Sequence, residues 1–285
     1  MMGRLRRLRY NARMGLGKVL SLMPEFWRDT SSLFVLSTGR TGTKTLTHIL
    51  ALSDQIDAFH EPYPRLMEER KYARTEIYDN PNKYKKIFSD SRSLYLWNSY
   101  RNGKFYAETS ARLTFFAPVI YDILPNSKFL YIHRHPAEVV RSGMRRGWYV
   151  DHPADYARIV PVKGEYAFEH WATWTPFEKI CWYWDAYNRF ALGFVDSVLS
   201  DRVIQVRADE IFSGRSVDCI FDLIKLRKPD DDLIHAELSK KHNIQKGASF
   251  PVFEDWTEEM KQTLYRHAGE TMQRLGYNVV SVHEA

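Results

Sequence analysis

The sequence predicts an α/β fold with a mostly parallel central sheet flanked by helices. Short apolar runs typical of strands alternate with segments of helical periodicity along 285 residues. The composition, 44% hydrophobic and 27% charged, is that of a folded protein, and no internal repeat or low-complexity linker interrupts it. Strands that alternate with helices favour a parallel sheet covered on both faces. We therefore expect a single domain over residues 31–285, preceded by an arm at residues 1–30.

The predicted elements follow one another from residue 33. Strands are predicted at 33–37 (LFVLS), 56–59 (IDAF), 104–108 (KFYAE), 128–133 (KFLYIH) and 202–207 (RVIQVR). Helices are predicted from about Thr43 to Leu52, over 112–124, from Pro136, over 176–199, and from an N-cap at Thr257 to a C-cap at Gly276. Ligands of such sheets bind at the carboxyl ends of the strands, so the loops after the strands are expected to share one rim.

The positive charge of the chain is concentrated in its arm. Residues 1–20 contain Arg4, Arg6, Arg7, Arg9, Arg13 and Lys18 and no acidic residue, which accounts for the net charge of +6. The remainder is balanced, whereas a general nucleic-acid binder spreads basic residues over its fold. We therefore expect no nucleic acid as partner.

Several interpretations of the arm are open. It lacks an uninterrupted apolar segment, so neither a signal peptide nor a membrane span is predicted. Leucines interleaved with arginines suit a basic amphipathic helix at a membrane surface. A solvated arm, a helix docked on the body and a transit peptide are alternatives. Cys181 and Cys219 lie far apart and suit a reducing compartment, so a cytoplasmic protein is expected, with the inner membrane face as a further site of contact.

The stretch "STGRTGTKTL" (37–46) has the shape of a phosphate-binding loop between a strand and a helix. Gly39 and Gly42 allow backbone N–H groups to converge on an anion, and the following helix offers its positive end. Hydroxyl donors are supplied by Thr41, Thr43 and Thr45. The spacing differs from the Walker loop G-x-x-x-x-G-K-[ST], because Lys44 follows a threonine. The loop alone would also suit a purely structural turn.

A second element follows the fourth strand in "FLYIHRHPAEVVRSG" (129–143). Arg134 comes just after the strand, and Ser142 lies eight residues later, about two helical turns on. Taken alone, Arg134 and Ser142 would be interpreted as a surface charge and a polar residue of a helix. An arginine fork with a hydroxyl also suits a second phosphate, so the two elements together suggest a ligand with phosphates at two ends.

These elements resemble the signature of sulfotransferases that use 3′-phosphoadenylyl sulfate, PAPS. The loop core for the 5′-phosphosulfate reads Arg40-Thr41-Gly42-Thr43, and Arg134 and Ser142 match the 3′-phosphate element. "YAETSARLTFF" (106–116) resembles a segment between the two, with Ala111 in place of the family's proline. "NIQKGASFP" (243–251) resembles a late loop that closes over the 3′-phosphate.

The resemblance implies a P-loop-nucleotide-hydrolase-like sulfotransferase fold, PAPS as donor, 3′,5′-diphosphoadenosine (PAP) as product and no metal. The cofactor-binding residues it implies are Gly39, Arg40, Thr41, Gly42, Thr43, Lys44, Thr45, Arg134, Ser142, Lys246 and Gly247. An alternative of the same general kind is a small-molecule kinase. A non-catalytic, membrane-associated nucleotide-binding scaffold is a third.

The resemblance also implies catalytic roles. Arg40 stands where many members have a lysine, and because arginine keeps its proton it would stabilise charge on the leaving phosphate. Lys44 is a second candidate for that work. Related members carry a Glu-Pro pair where this chain has Glu61, the first choice for the base that activates the acceptor. His60 is its rival, and either could instead be an ordinary loop residue.

The acceptor is expected under the aromatic region 144–190, which would cover the acceptor site. Rings of this kind suit a glycan, a lipid or a small hydroxyl compound, and the group modified would be a hydroxyl or an amine. Within the region, Ile180, Trp184, Tyr187 and Phe190 recur at helical spacing and are predicted to be core.

Overall fold

The computed structural model describes residues 23–240 and 249–278. Its five strands are β1 Ser32–Leu36, β2 Ile56–Phe59, β3 Phe105–Glu108, β4 Ser127–His133 and β5 Val203–Arg207. They form one sheet in the order β2-β3-β1-β4-β5, and every neighbouring pair is parallel. The predicted fold class is confirmed, with strand bounds that differ from the predictions by at most one residue at either end.

Helices cover the sheet. The α-helices of the described residues are α1 Pro24–Asp29, α2 Thr43–Leu50, α3 Glu69–Glu76, α4 Pro81–Arg101, α5 Ala117–Ile123, α6 Pro136–Met144, α7 Tyr166–His170, α8 Pro176–Ser197, α9 Ala208–Phe212, α10 Val217–Ile224, α11 Asp231–Leu238 and α12 Glu258–Arg274. Short 3₁₀ turns occupy Ala111–Phe116, Asp155–Ala157 and Phe253–Asp255. Within the described ranges, none of the helices is long and apolar enough to cross a membrane.

The ends of the long helices follow from capping chemistry. The Thr175 hydroxyl accepts from the Glu178 backbone N–H at the start of α8, and the Glu178 carboxylate accepts from the Thr175 backbone in return. At the start of α12 the Thr257 hydroxyl accepts from the Met260 N–H at 3.2 Å, as predicted. Gly276, with φ of 72°, follows its end.

The helices differ from the predictions in two ways: one predicted helix has another form, and seven of the described helices, α1, α3, α4, α7, α9, α10 and α11, were not predicted. The predicted helix at 112–124 is a 3₁₀ turn at Ala111–Phe116 followed by α5, which has a proline in its first turn. The 21-residue α4 was not predicted at all. Its buried residues include Phe88, Arg92 and Leu96, so a buried cation stands in the middle of an otherwise apolar stripe at helical spacing.

The core lies on both faces of the sheet. β1 is buried along its whole length. Its residues Phe34 and Leu36 pack with α4 and α8 on one face, whereas Leu33 and Val35 pack with α2 and α10 on the other. Residues of the predicted arm also join the core, since Phe26 of α1 is 1% exposed and stacks edge-on with Trp97 and Tyr100.

Candidate functional site

The loop between β1 and α2 has an unusual backbone. Gly39, Arg40 and Gly42 adopt positive φ angles of 79°, 63° and 85°. Left-handed residues next to right-handed ones, as at Arg40, Thr41 and Gly42, turn neighbouring backbone N–H groups toward one side and form a concavity suited to an anion. A Cβ on Gly42 would lie 2.9 Å from the Phe212 ring, so both the angle and the space favour glycine there.

Neighbouring elements hold this loop in place. The Thr114 hydroxyl accepts from the Ser37 N–H and donates to the Ser37 carbonyl, each at 2.9 Å. The Tyr183 hydroxyl of α8 donates to the Thr38 carbonyl at 2.8 Å. The 3₁₀ turn and α8 therefore fix the backbone from which the loop projects.

Arg134 extends from the end of β4 toward the same loop. Its Nη1 donates to the Arg40 carbonyl at 2.8 Å, and its Nη2 donates to Glu138 at 2.9 Å. The Trp184 indole N–H of α8 donates to the Arg134 carbonyl at 3.0 Å. The two elements that the sequence singles out for anions are therefore in direct contact and supported by adjacent residues of one helix.

Both elements line a cavity of about 710 Å³, here called the inner cavity. Its cationic lining residues are Arg40, Lys44, Arg70, Arg112, Arg134, Arg146, Arg158 and Lys240. Among the described residues its one carboxylate is Glu61. Four of these cations pair with carboxylates, namely Arg112 with Glu61, Arg134 with Glu138, Arg158 with Asp155 and Lys240 with Glu237. The cations still outnumber these carboxylates, and an excess of positive charge in a concave site suits a polyanion.

The structure brings most of the predicted site residues together. Those that line the inner cavity are Gly39, Arg40, Gly42, Thr43, Lys44, Thr45, His60, Glu61 and Arg134. Thr41 and Ser142 are buried beside the cavity and do not line it. Ser142 accepts a hydrogen bond of 3.0 Å from the Arg40 Nε, and so holds that side chain. Lys246 and Gly247 lie outside the described residues.

The two candidate bases follow β2. The His60 Nδ1 lies 3.0 Å from the Thr109 carbonyl oxygen and 3.1 Å from the Thr109 hydroxyl. Because the carbonyl oxygen can only accept, its position favours the tautomer with the proton on Nδ1 and the lone pair on Nε2. Burial lowers the pKa of His60, which favours the neutral ring. Glu61 lies beside it and forms an ion pair of 2.5 Å with the Arg112 Nη1.

A model of the sulfotransferase family matches residues 32–206, which run from the first residue of β1 to the last residue but one of β5 and include both anion elements. The chain belongs to the sulfotransferase family. The sulfotransferase domain from the curacin biosynthetic pathway is similar in structure, with 15% identity, a TM-score of 0.55 and coverage of 89% of this chain and 100% of that one. A sulfotransferase from Mycobacterium avium has 12% identity, a TM-score of 0.56 and coverage of 96% and 83%.

At these identities the solved structures show the fold alone, which is the P-loop-like fold with a parallel sheet. A search of curated proteins finds no match by sequence. In the described part of this sulfotransferase, no group of three or more His, Cys, Asp or Glu side chains is placed to hold a metal ion.

The charge on Arg40 of this sulfotransferase is destabilised by its surroundings. Burial, together with repulsion from Arg146 and Arg134, lowers its pKa to about 10. At neutral pH the guanidinium therefore remains charged. The free-energy cost of burying this charge falls when an anion binds beside the guanidinium.

A buried ion pair supports the loop that carries Glu61. The Arg92 Nε and Nη2 donate to the Glu108 carboxylate at 2.6 and 2.9 Å, and both side chains are fully buried. The Arg92 Nη1 donates to the Pro64 carbonyl at 2.9 Å. The Tyr106 hydroxyl donates to Glu108 at 2.7 Å. α4 therefore anchors the segment after β2 to the end of β3.

A second cavity of about 1,230 Å³, the outer cavity, adjoins the inner one. The residues shared by the two linings are Glu61, Met67, Arg112, His152 and Ala154. Rings of Tyr63, Tyr95 and Tyr156 line the outer cavity. Glu61 therefore lies where the two cavities meet. His152, Ala154 and Tyr156 belong to the region that the sequence assigns to the acceptor, while Ile180, Trp184 and Tyr187 are core as predicted.

Sequence reasoning missed five cations of the inner cavity. They are Arg70, Arg112, Arg146, Arg158 and Lys240. Apart from Arg112, none belongs to a segment that the resemblance singles out, and the five come from α3, a 3₁₀ turn, two loops and the turn after α11. The signals present in the sequence were weak: Arg112 lies within the quoted segment 106–116, and Arg146 and Arg158 lie within the aromatic region.

Proposed function

We propose that this sulfotransferase moves a sulfuryl group from PAPS to a hydroxyl of an acceptor. The observation that carries the proposal is the meeting of the β1 loop and Arg134 in one cavity with eight cationic residues and a single described carboxylate. PAPS has a phosphate at its 3′ position and a phosphosulfate at its 5′ position, so it presents anions at two ends. The family membership of the chain supports the same reaction class.

In this proposal the β1 loop, Arg40 and Lys44 bind the 5′-phosphosulfate, and Arg134 binds the 3′-phosphate. Roles for Thr41, Ser142, Lys246 and Gly247 stay predictions from the resemblance. The acceptor oxygen attacks sulfur, and the bond from sulfur to the bridging oxygen breaks with its electron pair passing to the 5′-phosphate. Arg40 stabilises the charge that develops there, as arginines and lysines do on transferring phosphoryl groups.

The acceptor proton passes to Glu61 as the first-choice base, with His60 as its rival. Glu61 is favoured because it lies at the junction of the two cavities, where an acceptor in the outer cavity would meet the donor. The ion pair with Arg112 orients its carboxylate. The neutral His60 ring lines the inner cavity, where its Nε2 could accept the acceptor's proton.

Calorimetry with PAP and with ATP–magnesium tests the donor assignment. We expect micromolar binding of PAP that does not depend on magnesium and is weakened at least tenfold by Arg134→Ala. Arg101→Ala is the matched control, because Arg101 is an exposed arginine at the end of α4. A preference for ATP–magnesium would contradict the proposal and favour a kinase.

The setting of the reaction is also a proposal. We propose a cytoplasmic enzyme whose basic arm contacts an anionic membrane surface. The six basic residues at positions 4–18 lie outside the described ranges. Cosedimentation with vesicles of anionic lipid, using the full chain and a variant without residues 1–20, checks it; equal binding by both would contradict it.

A further inference from the structure

Four arginines of the inner cavity lie outside the two elements assigned to the donor. They are Arg70 of α3, Arg112 of the first 3₁₀ turn, Arg146 after α6 and Arg158 after the second 3₁₀ turn. Four separate segments of the chain thus bring guanidinium groups to one cavity. Arginine forks match carboxylate, phosphate and sulfate groups in shape and charge.

Two of these arginines are held rigidly. The Arg158 side chain is 4% exposed, its Nε donates to Asp155 at 2.7 Å, and its guanidinium stacks 4.0 Å from the Trp148 ring centroid. The Arg70 Nε donates to the Ala157 carbonyl at 3.3 Å. Side chains fixed in this way have lost their rotamer freedom before any ligand arrives, which favours tight recognition.

Two others have donors without partners. The Nε atoms of Arg112 and Arg146 are buried and have no hydrogen-bond partner among the described residues. A buried donor left unpaired costs free energy that an anion in the cavity would restore. Burial lowers the pKa of Arg40 and of His152, and repulsion from Arg146 adds to both shifts, as expected for three groups that line the same cavity.

Two arginines of the inner cavity have neither a carboxylate partner nor a place in the donor elements. Of the four arginines outside those elements, Arg112 pairs with Glu61 and Arg158 pairs with Asp155. Arg70 and Arg146 line the same cavity, and neither forms an ion pair among the described residues. These two guanidinium groups are therefore left for an anion other than the donor.

The outer cavity has a different character. It contains the acids Glu68 and Glu69 against Arg65, beside the tyrosine rings. Its charge is nearly balanced, so it suits the neutral part of a molecule. An acceptor that lies in both cavities would place its charged group inward and its flat or apolar part outward.

We propose that the acceptor of this sulfotransferase is itself an anion, with a carboxylate, phosphate or sulfate ester close to the hydroxyl that is modified, bound by Arg70, Arg146 and Arg158. The inference rests on the proposed function, because it takes the donor to occupy the other cations. It deepens that function by selecting anionic acceptors over neutral ones.

Inorganic phosphate is the probe. The full chain is saturated with PAPS, so that the sulfuryl position is filled, and phosphate is titrated by calorimetry at constant ionic strength held with sodium chloride. We expect saturable binding at one site, weakened at least tenfold by Arg146→Gln and by Arg158→Gln. Arg101→Gln, an exposed arginine on α4, is the matched control and leaves phosphate binding unchanged.

The outcomes separate the two proposals. Failure of the wild type to bind PAPS overturns the proposed function. PAPS binding without phosphate binding overturns the anionic acceptor, as does phosphate binding that survives both substitutions. If loss of the Trp148 stack unfolds Arg158→Gln, as thermal unfolding would show, Arg146→Gln decides the matter, since Arg146 is partly buried in the turn after α6 and stacks on no ring among the described contacts.

Discussion

At the scale of single residues, the pair Arg92–Glu108 shows how the site is held. Both side chains have no exposed surface, and together with the Pro64 carbonyl they join α4, the end of β3 and the segment that carries Glu61. An isolated charge at this depth would be far more costly than the pair. The function of the pair is therefore to position, and it depends on both partners.

Removal of one partner should be severe. Glu108→Gln leaves the Arg92 charge buried without its counter-ion, and we expect the free energy of unfolding to fall by about 3–5 kcal/mol in urea titrations. The double variant Arg92→Met/Glu108→Leu, which buries no charge, should recover most of that loss. A change within about 1 kcal/mol for Glu108→Gln would show that the pair contributes little.

Gly42 allows a test of the loop backbone. Alanine at Gly42 must adopt φ near 85° and meets the Phe212 ring, whereas alanine at Gly103, with φ of 64°, meets nothing within 4 Å. Gly103→Ala should cost about 1–2 kcal/mol of unfolding free energy from the backbone alone. Gly42→Ala should cost more, and adding Phe212→Leu should recover the contact part of the loss. Equal losses in the two single variants would refute the contact.

The assignment of the base can also be tested by substitution. With an acceptor found by screening, Glu61→Gln should lower kcat by about 10²–10⁴-fold and leave PAP affinity unchanged, because a general base acts only in the chemical step. His60→Asn should lower kcat less than tenfold. If instead His60 is the base, kcat in the wild type falls as pH drops through a value below 6.5, and that limb disappears in His60→Asn.

At the scale of elements, the end of β4 is tied to β5 and to the segment after α12. The His133 Nε2 lies 3.2 Å from the Gln205 amide nitrogen of β5, and its Nδ1 lies 2.8 Å from the Tyr277 hydroxyl. Burial, with repulsion from Arg207, lowers the pKa of His133 to about 4. The folded protein therefore holds this ring neutral where an unfolded chain would protonate it.

This difference makes stability depend on pH. Between pH 6.5 and about 4 the unfolded chain binds the His133 proton and the folded chain does not, so the contribution is complete above pH 6.5 and is lost as pH falls toward 4. The loss approaches about 3 kcal/mol. Urea unfolding at pH 7 and pH 4.5 should show a smaller fall for His133→Gln than for the wild type. Parallel curves would contradict the linkage.

The same scale shows what the sequence could predict. All five strands were found because their apolar runs are buried on a parallel sheet, and β1 is buried at every position. α4 was missed because Arg92 interrupts its apolar stripe, and only the carboxylate of Glu108, sixteen residues away, makes burial of that cation acceptable. The Arg92–Glu108 ion pair is a tertiary contact, and no local sequence pattern predicts it.

At the scale of the whole molecule, the charge distribution is uneven in a way that composition hides. The chain after residue 20 has no net charge, yet eight cations and one described carboxylate line a single cavity. The cations come from segments far apart in the sequence, so a count of charged residues along the chain could not predict the cavity. The loop and Arg134 were predictable because each follows a strand in a recognisable local pattern.

Such a field predicts a strong effect of salt on donor binding. Because several charges are screened together, PAP affinity should fall at least tenfold between 50 and 500 mM sodium chloride, where the Debye length shortens from about 14 Å to about 4 Å. Adenosine, which lacks phosphates, serves as the uncharged comparison and should change less than twofold. An equal change for both ligands would mean that the cavity charge does not drive binding.

Adjacent residues on α8 have a consequence for what can change in this protein. Tyr183 donates a hydrogen bond to the Thr38 carbonyl, and Trp184 donates one to the Arg134 carbonyl. One helix therefore fixes the distance between the β1 loop and Arg134. A shift of α8 would move the β1 loop and Arg134 together and keep the distance between them. These two hydrogen bonds do not hold the loops around the outer cavity. Under the proposed function, substitutions around the outer cavity would therefore change the acceptor while the distance between the two donor-binding elements stays constant.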